Sequence, residues 1–147
     1  MQHFDDNKGI RNSLDICNMT VKEADDYYLQ VRGIDKLVKE TEKRELKARI
    51  KNLKKGNLKN EWILAIKDKA GKVIGKIEAL QLEPGVCFFT IDIPNESWRF
   101  KYGLKAIKYF CKICDEEKYF TKIQFDLENP IVSEYLTAYE SKKIVTA

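Results

Sequence analysis

The residues with the clearest chemical potential follow an apolar run near the middle of the chain. Residues 86–93 are apolar, β-branched and aromatic, which predicts a buried strand. Residues 94–97 (PNES) break this strand, and a helical pattern follows at once. A strand, a short break and a helix direct the free N–H groups of the helix N-terminus toward a bound anion. Because Gly103 lies in the predicted first turn beside Arg99 and Lys101, the segment predicts a site for a phosphate-bearing ligand.

The same segment resembles the acyl-CoA loop of the GNAT N-acetyltransferase superfamily. The family pattern is Q/R-x-x-G-x-G/A, and residues 98–103 of this chain read WRFKYG. Gly103 takes the last position of the pattern, Lys101 stands in place of the first glycine, and Trp98 replaces the Gln or Arg. With one residue deleted, Arg99 fills the basic position instead. A helix start that contains glycine and binds no ligand is the alternative interpretation.

The order of predicted elements is similar to that of the GNAT family over nearly the whole chain. The predicted strands are residues 13–20, 62–67, 72–82, 86–93 and 122–127, and the predicted helices occupy residues 20–53 (as one or two helices), 100–118 and a segment beginning at Pro130. The resemblance implies an α/β fold with a mixed sheet in the order β-α-α-β-β-β-α-β-α. It also implies one domain over residues 1–147 and a shortened strand region at the C-terminus.

Local signals agree with this order. Thr20 and Glu23 form a capping-box pattern, and residues 68–71 (DKAG) are typical of a hairpin turn. Gly75 lies in a strand, residues 72–80 (KVIGKIEAL), that resembles one from the GNAT branch of ribosomal-protein N-acetyltransferases. Asn129 resembles the asparagine of that branch before its last helix.

The resemblance implies acetyl-CoA as the co-substrate and gives no role to a metal. In GNAT proteins the pantetheine arm lies along the fourth strand, and the pyrophosphate lies at the acyl-CoA loop. The contacts implied here come from the backbone of the fourth strand, from amides of the following helix, and from the Arg99 and Lys101 side chains. The implied cofactor-binding residues are Thr90, Ile91, Asp92, Ile93, Arg99, Phe100, Lys101, Tyr102, Gly103, Leu104 and Asn129.

Acetyl transfer to an amine requires a base for the incoming ammonium and an acid for the departing thiolate. The resemblance implies a tyrosine of the last helix as the acid, with Tyr139 favoured slightly over Tyr135, because a phenol with a pKa near ~10 can donate to a thiolate. The base is a carboxylate on a central strand, for which Glu78 and Asp92 are the candidates, or else water. Each carboxylate is otherwise a solvated strand residue. With His3 as the single histidine, a Ser/His/Asp hydrolase is excluded.

Composition describes an ordinary globular chain. Of its 147 residues, 44% are hydrophobic and 34% are charged, and the formal net charge is +4. No apolar run approaches the ~20 residues of a membrane span, and the first residues lack the apolar core of a secretory signal. These features predict a cytoplasmic protein without a membrane partner.

Basic residues and cysteines each allow a simple structural interpretation. Residues 36–59 hold much of the basic excess, which predicts a solvated helix face in preference to a nucleic-acid site. Cys111 and Cys114 fall in a predicted helix. A zinc site needs two more ligands at a suitable spacing, and the chain has a single histidine, His3, near its N-terminus, so core cysteines are predicted and a metal site is not.

The C-terminus departs from the GNAT pattern. The family continues with two strands after its last helix, whereas residues 141–147 are all that follow here. A homodimer that completes the sheet, a shortened relative without catalysis and a fragment of a longer chain all remain open. The resemblance implies an N-acetyltransferase that acts by direct attack of a primary amine, from a protein N-terminus or a small molecule. A catalytically inactive GNAT-like binding or regulatory module is the alternative.

Overall fold

The computed structural model describes residues 14–56, 60–117, 120–139 and 144–146, with the backbone alone for residues 138, 139 and 144–146. The elements of this described part are β1 (Leu14–Asn18), α1 (Val21–Tyr28), α2 (Lys36–Lys54), β2 (Glu61–Asp68), β3 (Val73–Glu83), β4 (Val86–Asp92), α3 (Glu96–Glu117), β5 (Lys122–Phe125), α4 (Pro130–Tyr139) and β6 (Ile144–Thr146). The predicted α/β class and element order are confirmed, and the region predicted as one or two helices is two.

Side chains at element ends explain several of these boundaries. The Thr20 hydroxyl accepts from the N–H of Glu23 while the Glu23 carboxylate accepts from the N–H of Thr20, so the predicted capping box is present. In the β2–β3 turn, the Asp68 carboxylate accepts from two backbone N–H groups at 2.9 Å. Gly71 adopts a φ of 84° there, a conformation that favours glycine.

Across the described residues the strands form one sheet in the order β1-β2-β3-β4-β5-β6. The first four strands pair antiparallel in sequence, and β4–β5 and β5–β6 pair parallel. The ladder between β4 and β5 ends at the pair Phe89–Phe125, whereas the ladder between β3 and β4 continues to Asp92. The last three residues of β4 therefore have strand β3 on one side and no β5 partner on the other, which we call the β4–β5 gap.

Helices cover the two faces of the sheet unequally. The larger core cluster joins α3 and α4 to side chains such as Leu64, Ile77 and Phe89, and the smaller cluster joins α1 and α2 to β2 and the start of β3. Side chains alternate between faces along a strand. Since Phe89 and Ile91 belong to the α3 side, the side chains of Thr90 and Asp92 lie on the face that carries α1 and α2.

Helix α3 begins four residues before the predicted start at Phe100. The side-chain oxygen of Asn95 accepts from the N–H of Ser97 at 2.9 Å, and its backbone oxygen accepts from the N–H of Trp98 at 3.0 Å. Asn95 thus accepts from two N–H groups in the first turn of α3, as an N-cap residue does. Residues 96 and 97 of the predicted break belong to the helix, residues 94 and 95 remain outside it, and Gly103 lies in the second turn instead of the first.

Cysteines in the described part of the chain are free thiols. Cys87 and Cys114 are buried in the larger core cluster, and burial raises the pKa of the Cys87 thiol to about 12. Within the described ranges no group of three or more His, Cys, Asp or Glu residues is arranged to hold a metal ion, and no helix combines the length and apolar character needed to cross a membrane.

Candidate active site at the β4–β5 gap

The backbone of β4 presents only alternate residues to the gap. In a strand, the N–H and C=O of one residue point to the same side, and those of the next residue point to the other. The Ile91 carbonyl accepts from Asn129 Nδ2 at 2.7 Å across the gap, so the N–H of Ile91 faces the gap as well. Thr90 and Asp92 direct their backbone groups toward β3, which corrects the prediction that every residue from 90 to 93 offers backbone contacts to a ligand.

Asn129 fastens α4 to β4. Its Oδ1 accepts from the N–H groups of Ile131 at 2.9 Å and Val132 at 3.3 Å, as an N-cap does, while its Nδ2 donates to Ile91. One amide hydrogen of Asn129 is left by this arrangement, because an amide nitrogen carries two. The predicted cofactor residue is therefore at the gap, where it also sets the start of the last helix.

The early start of α3 changes what its residues can offer an anion. Amides of residues 100–104 lie inside the helix, where an N–H donates to the carbonyl four residues earlier, so the pyrophosphate contacts predicted for them do not fit this geometry. Arg99 remains well placed, since its Nε donates to the Ile93 carbonyl at 3.3 Å, just beyond β4. Lys101 is exposed and lies 5.1 Å from the centre of the Tyr102 ring.

Gly103 has a packing role that the sequence did not reveal. A Cβ at this position would lie 2.5 Å from Cγ2 of Ile131, far inside ordinary contact distance. Glycine here lets α3 and α4 approach each other closely, and its φ is not in the left-handed region. Tyr102 and Leu104, also predicted to bind the cofactor, pack against the larger core cluster, whereas the Phe100 side chain is 45% exposed.

Both candidate bases lie on the face that carries α1 and α2, but their partners differ. In the β3–β4 register Glu78 lies opposite Thr90, and Asp92 lies opposite Lys76. Glu78 Oε1 accepts from Arg49 Nη2 at 2.5 Å, and its Oε2 pairs with Lys76. Burial raises the pKa of Glu78, but the charges and hydrogen bonds of these two cations outweigh burial and hold that pKa below its usual value. A carboxylate held ionised in this way is a weak proton acceptor.

The lowered pKa of Glu78 predicts a loss of stability in acid. Between its folded pKa and its unfolded value of about 4.3, the unfolded chain binds more protons, so the free energy of unfolding rises with pH. Its contribution is complete above the unfolded pKa and disappears as pH falls through the folded pKa. We expect Glu78→Gln to be less stable than wild type at neutral pH and to show a smaller loss in acid, measured by urea unfolding. Glu83→Gln, an exposed carboxylate of β3, should follow wild type, and parallel curves for wild type and Glu78→Gln would contradict the prediction.

Asp92 has one engaged oxygen and one that no described residue occupies. The buried Tyr27 hydroxyl donates to Asp92 Oδ2, and no described residue donates to Oδ1. Asp92 lines an open cleft of about 440 Å³, the Asp92 cleft, whose other lining residues include Tyr27, Tyr28, Glu42 and Arg99. The sequence analysis missed Tyr27 and Arg49, since each meets its carboxylate partner only through the fold.

Of the two candidate acids, the structure describes the side chain of Tyr135 and only the backbone of Tyr139. Tyr135 is 5% exposed and packs in the larger core cluster, with its ring centre 6.3 Å from that of Phe125 at the end of β5. The backbone of Tyr139 belongs to α4, but its side chain lies outside the described residues. The choice between them stays a prediction.

Comparisons with known proteins identify the fold. No protein-family model and no curated protein sequence matches the chain. Among solved structures, it is similar to a Vibrio cholerae protein described as a ribosomal-protein-serine acetyltransferase, with 15% identity and a TM-score of 0.66 over 88% of this chain and 80% of the other. A ribosomal-protein-S5-alanine acetyltransferase from Vibrio fischeri is 13% identical, with a TM-score of 0.63 over 94% and 81% of the two chains. The aminoglycoside acetyltransferase AAC(6')-Ib, solved with coenzyme A, is 15% identical, with a TM-score of 0.59 over 85% and 82%.

Proposed function

We propose that this protein, which has the GNAT N-acetyltransferase fold, transfers an acetyl group from acetyl-CoA to a primary amine. The observation that carries the proposal is the β4–β5 gap, where β4 continues past the last pair with β5 and directs the N–H of Ile91 outward. The resemblance places the pantetheine arm of the co-substrate along this part of β4. The similar solved structures are acetyltransferases, which supports the same activity for this chain.

The residues of the gap suit an extended ligand with amide groups and a charged end. The N–H of Ile91 and the remaining amide hydrogen of Asn129 are donors for carbonyl groups of the pantetheine arm. Arg99 is tethered through Nε to the Ile93 carbonyl, which leaves its terminal nitrogens for the pyrophosphate. Lys101 lies two residues after Arg99 in α3, so the two side chains leave the helix on different faces, and a cofactor contact of Lys101 stays a prediction. The Asn129 and Arg99 side chains take the place of the amide groups that the longer helix α3 removes.

In the proposed reaction Asp92 is the base. Its Oδ1 takes one proton of the acceptor ammonium, the neutral nitrogen attacks the thioester carbonyl carbon, and the bond from that carbon to sulfur breaks. A tyrosine of α4, Tyr139 or Tyr135, gives its proton to the departing thiolate, and the resulting phenolate takes the extra proton of the newly acylated nitrogen. Glu78 is the weaker candidate, because Arg49 and Lys76 occupy both its oxygens. The acceptor is a protein N-terminus or a small amine.

Two observations favour the alternative of an inactive GNAT-like module. The Ile91 and Ile93 carbonyls already accept hydrogen bonds from Asn129 and Arg99, and the predicted acyl-CoA loop is helical. Such a module should have its cleft filled by Trp98 or Phe100. Trp98 does pack partly against the larger core cluster, but Phe100 is largely exposed and fills no cleft.

Thermal unfolding with acetyl-CoA tests the co-substrate site. At about 100 times its dissociation constant, a ligand adds roughly 2.7 kcal/mol to the free energy of unfolding, which raises Tm by several degrees for a chain of this size. We expect this shift in wild type and a clearly smaller one in Arg99→Ala, which removes the proposed pyrophosphate contact.

Lys105→Ala is the matched control, because Lys105 is an exposed cation on a later turn of α3. It should retain the full shift in Tm. The absence of any shift in wild type would contradict the proposed co-substrate. A shift without acetylation of spermidine, an aminoglycoside or a peptide with a free N-terminus would favour the inactive module.

A further inference from the structure

Tyr27 joins two parts of the chain that are distant in sequence. It lies in α1, its side chain is 4% exposed, and its hydroxyl donates to Oδ2 of Asp92, 65 residues later. Its ring packs edge-on against Tyr28, with ring centres 4.9 Å apart, and lies 5.3 Å from Lys76 Nζ. The Tyr27 hydroxyl thus links helix α1 to the end of β4 by a hydrogen bond.

The hydroxyl of Tyr27 is not required for packing. A buried hydroxyl without a partner costs free energy, so phenylalanine would fill the same space more simply. Burial and the neighbouring Asp92 raise the pKa of the Tyr27 phenol far above its usual value, so the phenol keeps its proton. The group is therefore a permanent donor to the carboxylate.

The end of β4 is where a carboxylate needs such a donor. Asp92 is the last residue of the strand, and β5 no longer pairs with the chain at this point. The terminal torsion of an aspartate is broad, so a carboxylate at a strand end samples several orientations unless a hydrogen bond selects one. The bond from Tyr27 to Oδ2 selects one orientation of the carboxylate, in which Oδ1 accepts from no described residue, and Asp92 lines the Asp92 cleft.

We infer that Tyr27 is a positioning residue, which orients the Asp92 carboxylate for removal of the acceptor's proton. This inference rests on the proposed function, because it assumes that Asp92 is the base. In this role Tyr27 acts on the reaction through Asp92.

The test is a kinetic double-mutant cycle with Tyr27→Phe and Asp92→Asn. Tyr27→Phe removes one oxygen and keeps the ring, and a misplaced catalytic group costs up to about 100-fold in rate. With the best acceptor among spermidine, kanamycin and a peptide with a free N-terminus, we expect kcat to fall about 10- to 100-fold while KM for acetyl-CoA stays unchanged. In the Asp92→Asn background the same change should have almost no effect on kcat, because the group it positions is gone.

Tyr109→Phe is the matched control for this cycle. Tyr109 is a buried tyrosine of α3 in the larger core cluster, and it does not line the Asp92 cleft. It should keep the wild-type kcat. Wild-type kcat in Tyr27→Phe, or an equal loss in the Asp92→Asn background, would overturn the inference while leaving the proposed function intact. If wild type acetylates none of the three acceptors, the proposed function fails, and the positioning role fails with it.

The contact itself has a readout that does not depend on activity. Urea unfolding of wild type, Tyr27→Phe, Asp92→Ala and the double variant measures the coupling of Tyr27 and Asp92 in the folded state, because alanine removes the acceptor that asparagine would keep. We expect the loss in midpoint from Tyr27→Phe to differ between the two backgrounds. Additive losses would overturn the hydrogen bond on which the inference stands, whatever the acceptor.

Discussion

Asp92→Asn is expected to lower kcat about 100- to 10,000-fold, the range that general base catalysis supplies. Asparagine keeps the size of the side chain and can still accept from Tyr27, so the fold and the Asp92 cleft should persist. What it loses is the ability to take a proton from the acceptor ammonium. Steady-state kinetics with acetyl-CoA and an accepted amine measure the loss, and KM for acetyl-CoA should change little because Asp92 turns its backbone away from the gap.

Two controls separate this role from a general effect of charge. Glu83→Gln removes an exposed carboxylate of the neighbouring strand β3 and should keep the wild-type rate. Glu78→Gln removes the other candidate base and tests it directly. If Glu78→Gln loses more activity than Asp92→Asn under conditions in which both variants are fully folded, the assignment of the base to Asp92 is wrong and Glu78 replaces it.

Gly75→Ala is expected to cost the fold about 3 kcal/mol, a fall in Tm of about 10 °C. A Cβ on Gly75 would lie 2.6 Å from the backbone oxygen of Asp92 and 2.7 Å from Cγ1 of Ile93. A backbone oxygen in a strand ladder cannot move aside as a flexible side chain can, so the end of β4 must shift. The shift would also displace Ile91 and Asp92, and we expect the stabilisation by acetyl-CoA to be lost with it.

A matched glycine shows whether the clash is the cause. Gly71 lies in the β2–β3 turn with nothing within 4 Å of an added Cβ, although its φ is in the left-handed region. Gly71→Ala should cost about 1 kcal/mol for that conformation alone, and acetyl-CoA should still stabilise it. Thermal unfolding with and without acetyl-CoA measures both variants. A Gly75→Ala protein as stable as Gly71→Ala would show that β4 tolerates the contact.

Patterns confined to one element or one turn could be predicted from the sequence. The Thr20–Glu23 capping box and the 68–71 turn are read from residues a few positions apart, and both appear as predicted. The position of Asn129 after the fifth strand predicts that it lies at the candidate site. Its Nδ2 donates to the Ile91 carbonyl, which puts the side chain at the β4–β5 gap.

The features that differ from the prediction have two different sources. Helix α3 starts earlier than predicted although a local signal is present, since Asn95 followed by Glu96 is a pattern typical of a helix N-terminus. No local signal indicates the packing of Gly103 or the hydrogen bond of Tyr27. The contact of Gly103 with Ile131 and the bond of Tyr27 to Asp92 join residues that only tertiary packing brings together.

The two neighbours of β4 in the sheet pair with it through contacts of different sequence separation. Strand β4 follows β3 through a tight turn at Gly85, so the β3–β4 pairing is local in sequence. Strand β5 pairs with β4 only after the whole of α3, so the β4–β5 pairing depends on contacts of high sequence separation. Contacts of this kind carry a larger loop-closure entropy before they can form. The β3–β4 side of the candidate site therefore belongs to the part of the fold with low contact order. The β5 side can form only once α3, which connects β4 to β5, is in place.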